Sequence, residues 1–113
     1  MNVFPLLLAE FLGSFFFIGV IAATAFAGSR ITLASASSYA PIAIGLALAV
    51  AILGFGAASG GHFNPAVSLA RIVFDALDGD GKTFGRYLLY MVAQLLGCCV
   101  AVLVVVYLFR RPV

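Results

Sequence analysis

Between two apolar runs that are each long enough to cross a bilayer, the chain carries a third apolar stretch that is not. Tyr39 to Ala58 and Phe84 to Phe109 each reach the 20 mostly apolar residues that a helix needs to span about 30 Å of hydrocarbon. A further run, from about Val3 to Ala27, does the same. After the second run the sequence reads Ser59-Gly60-Gly61-His62-Phe63-Asn64 and then offers only about ten helical, mostly apolar residues, Pro65 to Phe74. Such a segment must dip into the membrane and return to the face it came from. Non-helical backbone survives at membrane depth only where it is packed in protein or lines a wet cavity, because bare amides in lipid go unsatisfied. The interruption therefore predicts a cavity or pore. The expected fold is an all-α membrane protein, a single unit over residues 1–113. It has three transmembrane helices, at about 3–27, 39–58 and 84–109, and one re-entrant loop and half-helix at about 59–74.

Composition agrees. The chain is 65% hydrophobic and 9% charged, more apolar material than a soluble domain of 113 residues has polar surface to cover. A net charge of +2 leaves no basic stripe for nucleic acid. Cys98 and Cys99 are neighbours in an apolar run and read as small interior residues, not as a disulfide framework. With one histidine and no clustered carboxylates in the spans, neither a metal site nor a nucleophile with its base is expected. No enzyme and no cofactor are expected. Ala25-Phe26-Ala27 looks like a signal cleavage site, but no basic segment precedes the run and Glu10 interrupts it, so the first segment is kept as a span. Pro41 is expected in the first turn of the second span, and Arg110-Arg111-Pro112 close the third. A Ser/Ala-rich link occupies Gly28 to Ser38, and a charged turn region Asp75 to Lys82.

The chemistry of the dip is readable. Asn64 is a preferred N-cap and Pro65 a preferred first helical residue, since proline lacks the N–H that would be orphaned there. The Asn64 side-chain carbonyl is expected to accept from the N–H of Ala66 or Val67, leaving its NH2 as a free donor. The helix N-terminus adds partial positive charge. Gly60 and Gly61 allow a tight backbone, and the carbonyls of Gly60 to Phe63 supply acceptors. Donors, acceptors and a positive field together suit a small neutral hydrogen-bonding solute and repel cations and protons.

Four features in order, Ala9-Glu10-Phe11-Leu12-Gly13, Gly45, the run from Ser59 to Ser68, and Ala93-Gln94 with Gly97, resemble the first half of the aquaporin and glycerol-facilitator family, the major intrinsic proteins. A usual member has two such halves in inverted orientation, with two Asn-Pro-Ala tips meeting at the midplane. This chain has one tip and no internal repeat. The resemblance implies a passive channel for water and small neutral solutes such as glycerol, completed by a second copy of the chain in opposite orientation and assembled further into a tetramer of pores. Lys82, Arg71 and Arg86 fall on one face and Arg30, Arg110 and Arg111 on the other. That balance removes the bias that sets orientation, so dual topology is permitted. The alternatives are a half whose partner is a different chain, a fragment of a longer channel, a non-conducting membrane assembly partner, and a dual-topology transporter coupled through Glu10.

The resemblance also implies roles. Glu10 holds the re-entrant loop, a reading favoured over a proton relay, and Gln94 is a second polar tie. His62 stands near the pore, presenting its carbonyl or ring to water, with packing favoured over gating. Where the second tip of usual members carries arginine, the matching position here is Val67, and Ile44 replaces an aromatic before Gly45. Both changes imply a wider or more apolar constriction. Arg71, one turn beyond Val67, either restores a cation at the mouth or snorkels to headgroups.

Overall fold

A computed structural model of the chain describes residues 2–30 and 36–110, excluding the side chains of residues 26–30 and 36–38. Four helices follow one another: α1 (Phe4–Arg30), α2 (Ala36–Ser59), α3 (Pro65–Asp78) and α4 (Phe84–Phe109). Three of them are long and apolar enough to cross a membrane, through Phe4–Ala25, Tyr39–Ser59 and Phe84–Phe109. The fourth, α3, has 14 residues and at 1.5 Å per residue reaches about 21 Å, short of the hydrocarbon thickness. The molecule is elongated, 53 × 26 × 21 Å.

α1 is the centre of the arrangement. It packs against α2 on one side and α4 on the other, while α3 leans on α4. Among the described residues the backbone of α2 packs closely on neither α3 nor α4, and a side chain of α4 reaches only its last residue, Ser59. Small residues let the helices approach closely. Ala9, Ala47, Ala51, Ala93 and Ala101 are all buried. A Cβ on Gly97 would stand 2.5 Å from the Phe11 carbonyl oxygen, so α4 sits on the backbone of α1. The buried face of α4 carries Tyr87, Tyr90, Ala93, Gln94, Gly97, Ala101 and Val105, the three- and four-residue recurrence of one helical stripe. Large apolar side chains elsewhere, such as Leu53, Leu103 and Tyr107, point outward, as they can in lipid.

Three boundaries differ from the sequence reading. α3 continues to Asp78, so Asp75 to Asp78 belong to the helix and the turn begins at Gly79. Nothing in Asp75-Ala76-Leu77-Asp78 forbids helix, and the Gly79 N–H still reaches the Asp75 carbonyl at 2.9 Å. A Cβ at position 79 would come within 2.9 Å of that same oxygen and closer still to Asp75 Oδ1, which is why glycine ends the helix. α2 begins at Ala36, so Pro41 is its sixth residue and lies inside the helix rather than in the first turn; its missing N–H costs one bond to the preceding turn. α1 runs to Arg30 and leaves 31–35, within the expected link, outside the described residues, as are Arg111 and Pro112 and the side chain of Arg30.

Candidate functional site

The non-helical run between α2 and α3 is built around a buried carboxyl. Gly60 and Gly61 adopt positive φ, 95° and 71°, turning the chain sharply after α2 where a Cβ would be strained. Phe63 is also left-handed, with φ 54°, the one non-glycine residue so placed among those described. The turned backbone brings the His62 and Phe63 N–H groups onto Glu10, at 3.2 Å to Oε2 and 2.9 Å to Oε1. Ser59 Oγ donates to Oε2 at 2.5 Å and Gln94 Nε2 to Oε1 at 2.6 Å. Glu10 is fully buried, and its carboxyl accepts four hydrogen bonds, one from α2, two from the loop and one from α4. A carboxyl inside a membrane helix is costly unless it faces protein in this way.

A second ring of contacts encloses the loop. Gln94 Nε2 also donates to Ser68 Oγ at 2.8 Å, and Ser68 Oγ lies 2.9 Å from His62 Nδ1. The His62 ring packs edge-on against Tyr87 and Tyr90, with centroids 4.6 Å and 5.2 Å apart. The Tyr90 hydroxyl donates to the Ser59 carbonyl at 2.7 Å, satisfying an acceptor freed where α2 ends. His62 is 6% exposed, and its ring is engaged with Ser68, Tyr87 and Tyr90.

From this mount the chain enters α3. Asn64 is extended, with φ −158° and ψ 125°, and caps the helix, its Oδ1 accepting from the Ala66 N–H at 2.8 Å, with Pro65 first in the helix. Asn64 and Ala66 are exposed. Among the described residues the carbonyls of Gly60, Gly61, His62 and Phe63 accept no hydrogen bond. The tip thus presents an unused side-chain NH2 and a helix N-terminus, with the carbonyls of Gly60 and Gly61 on the approach, while Phe63 and His62 are buried.

Of the constriction candidates, Val67 is 40% exposed on α3 and Ile44 is half-buried on α2. Because α2 and α3 do not pack closely on one another, one chain does not bring the two together. Arg71 is exposed and lines a cavity of about 190 Å³ with Phe74, Asp75, Thr83 and Tyr87, which sets it beside the start of α4. Ser59, Ser68, Tyr87 and Tyr90 were not foreseen as site residues. Ser68 ends the run that marks the loop, and the Tyr87, Tyr90, Gln94, Gly97 spacing is a helical face, but these signals are faint in a helix whose other positions are apolar as well.

The sequence profile of the family described as Major intrinsic protein matches residues 2–112. The chain belongs to the major intrinsic protein family. It is accordingly an integral membrane protein, with three helices of spanning length. It is 39% identical over 97 residues to the glycerol uptake facilitator protein-like 6 of Lactiplantibacillus plantarum, covering 83% of this chain and 39% of that protein. It is 34% identical over 108 residues to the glycerol uptake facilitator protein of Haemophilus influenzae, covering 92% and 38%. To a probable TIP-type aquaporin of Medicago truncatula it is 36% identical over 111 residues, covering 94% and 42%. The chain therefore spans about two-fifths of the length of these major intrinsic proteins. No solved structure is matched.

Proposed function

We propose that the chain is one half of a passive channel for water and small neutral solutes such as glycerol, and that two copies in opposite orientations complete the pore. The observation that carries this reading is the Asn64 tip, a capped helix start with a free amide donor beside the unbonded carbonyls of Gly60 and Gly61, on a helix whose packing within the chain is against α4. Donors and acceptors of this kind need a partner at membrane depth, and a solute file supplies one. The uncovered side of α3 needs protein, and a two-fold axis in the membrane plane would set a second copy against it. Two Asn64 tips then meet at the midplane, each amide donating to the passing solute while the opposed helix N-termini disfavour cations and protons. Val67 and Ile44 line the narrowings, and with no arginine at position 67 the pore admits solutes larger than water. Glu10 and Gln94 support the loop. Four such pores share one assembly.

The test is osmotic shrinkage of liposomes carrying this chain alone, beside an Asn64→Asp variant at equal incorporation. The expected result is shrinkage well above empty vesicles for the parent and slower or solute-altered flux for the variant. A folded preparation that stays at the empty-vesicle rate sinks the homodimeric reading and directs the search to a partner chain whose tip carries the missing arginine.

A further inference from the structure

We infer that Phe63 is the positioning residue of the Asn64 tip and Gly13 its socket, and that this pair sets the depth and rotation of the tip in the pore; the inference rests on the channel reading above. Phe63 is fully buried, and its ring occupies the place where any other residue at position 13 would put its Cβ. An ideal Cβ on Gly13 would fall 2.7 Å from Phe63 Cζ and closer still to Cδ1 and Cε1, distances at which real atoms do not coexist. The fit is therefore between a ring and bare helix backbone. On the other side the ring is flanked by Gly61, whose built Cβ would lie 3.5 Å from Cε2.

The backbone of Phe63 adds a second constraint. Its φ of 54° is unfavourable for a residue with a Cβ, and is held by the Phe63 N–H bond to Glu10 and by the seated ring. Gly13 and Glu10 are three residues apart on α1 and thus on one face, so a single face of α1 grips both the amide and the side chain of Phe63. Asn64 is the next residue. With the Phe63 amide pinned and its ring seated, the loop has no freedom to slide along α1, and the Asn64 amide is delivered at one height. Glycine could have relieved the left-handed backbone at position 63, as at Gly60 and Gly61, but it has no ring to register the loop against α1. This coupling is separate from the polar support of Glu10, which holds the Ser59 hydroxyl and the His62 and Phe63 amides and does not involve the Phe63 ring.

A four-way comparison of the full chain, Gly13→Ala, Phe63→Ala and the double variant tests the inference in two assays. These are thermal unfolding in detergent and shrinkage of liposomes against water and glycerol gradients. Adding a methyl into a filled core is costly, so Gly13→Ala is expected to lower the melting temperature and to cut water flux about tenfold where Phe63 is present. In the Phe63→Ala background the same substitution is expected to change neither. Phe63→Ala at equal incorporation is expected to shift the glycerol-to-water permeability ratio, which a merely stabilising residue would leave alone. If Phe63→Ala does not fold, Phe63→Leu provides the second background, with the Gly13→Ala penalty reduced. Equal penalties in both backgrounds, no penalty in the parent, or an unchanged permeability ratio would overturn the inference. A parent that conducts nothing while its melting temperatures still couple refutes the channel and leaves the socket as a structural lock.

Discussion

The two ends of α3 are tied down by the same chemistry in opposite surroundings. At the N-terminal end a carboxyl on α1, Glu10, accepts from Ser59, His62, Phe63 and Gln94 and is wholly buried. At the C-terminal end a carboxyl on α3 itself, Asp75, accepts from the Thr83 hydroxyl at 2.7 Å and the Thr83 N–H at 3.3 Å, clipping the turn to the start of α4 in a half-exposed place. Hydrogen bonds to a charged group are strong where water is excluded and weak where it competes. The buried carboxyl can therefore dictate the loop, while the exposed one only takes slack out of a turn. α3 is thus anchored firmly where its N-terminal end is buried and loosely where its C-terminal end is exposed, which on the proposed channel reading suits a fixed tip on an adjustable base.

That contrast can be broken by experiment, beginning where the effect is greatest. Glu10→Gln turns one accepting oxygen into a donor that faces donors. It should destabilise the fold by about 2–3 kcal/mol, read as thermal unfolding in detergent, and abolish flux through a misplaced Asn64. A Glu10→Gln protein as stable as the parent would mean that the carboxyl does not hold the loop. Gln94→Leu removes two donors, to Glu10 and Ser68, and leaves the carboxyl with three. About 1–2 kcal/mol is expected in the same assay. Tyr90→Phe deletes one bond, to the Ser59 carbonyl, and should cost about 1 kcal/mol, with flux reduced less than in either of the others.

The smallest effect belongs to the exposed end. The Thr83 hydroxyl beside Asp75 holds its carboxyl below the ordinary value of 3.8, with the Thr83 N–H and nearby Arg71 adding to it and partial desolvation opposing. A depressed carboxylate contributes stability that is intact above its unfolded value and fades as the pH falls through the lower folded value. Asp75 should thus add no pH dependence to the melting temperature well above pH 3.8 and contribute to its decline as the pH falls through and below that value, and Asp75→Asn should flatten that part of the decline. An Asp75→Asn protein that loses as much stability as Glu10→Gln would erase the distinction between the two ends.

Length and patterning alone determined the three spans, the non-spanning helix between them, and the Asn64 cap with Pro65 behind it. These rest on local physics: helix rise against bilayer thickness, the missing proline N–H, and the reach of an asparagine side chain to an amide two residues on. The end of α3 at Asp78 and the interior place of Pro41 differ from the sequence reading, because charged residues do not oblige a helix to stop and α2 begins at Ala36, ahead of the apolar run. What only the tertiary structure decided is which side chains meet across the chain. Glu10 and Phe63 are 53 residues apart and Glu10 and Gln94 are 84 apart, and no spacing in the sequence states that the first holds the other two. The seat of Phe63 on Gly13, the Ser68 bridge between Gln94 and His62, and the Tyr87–Tyr90 wall exist only once α1, α3, α4 and the loop are packed together. In a helix apolar on every face, the inward stripe cannot be told from the outward one until a neighbour is packed against it.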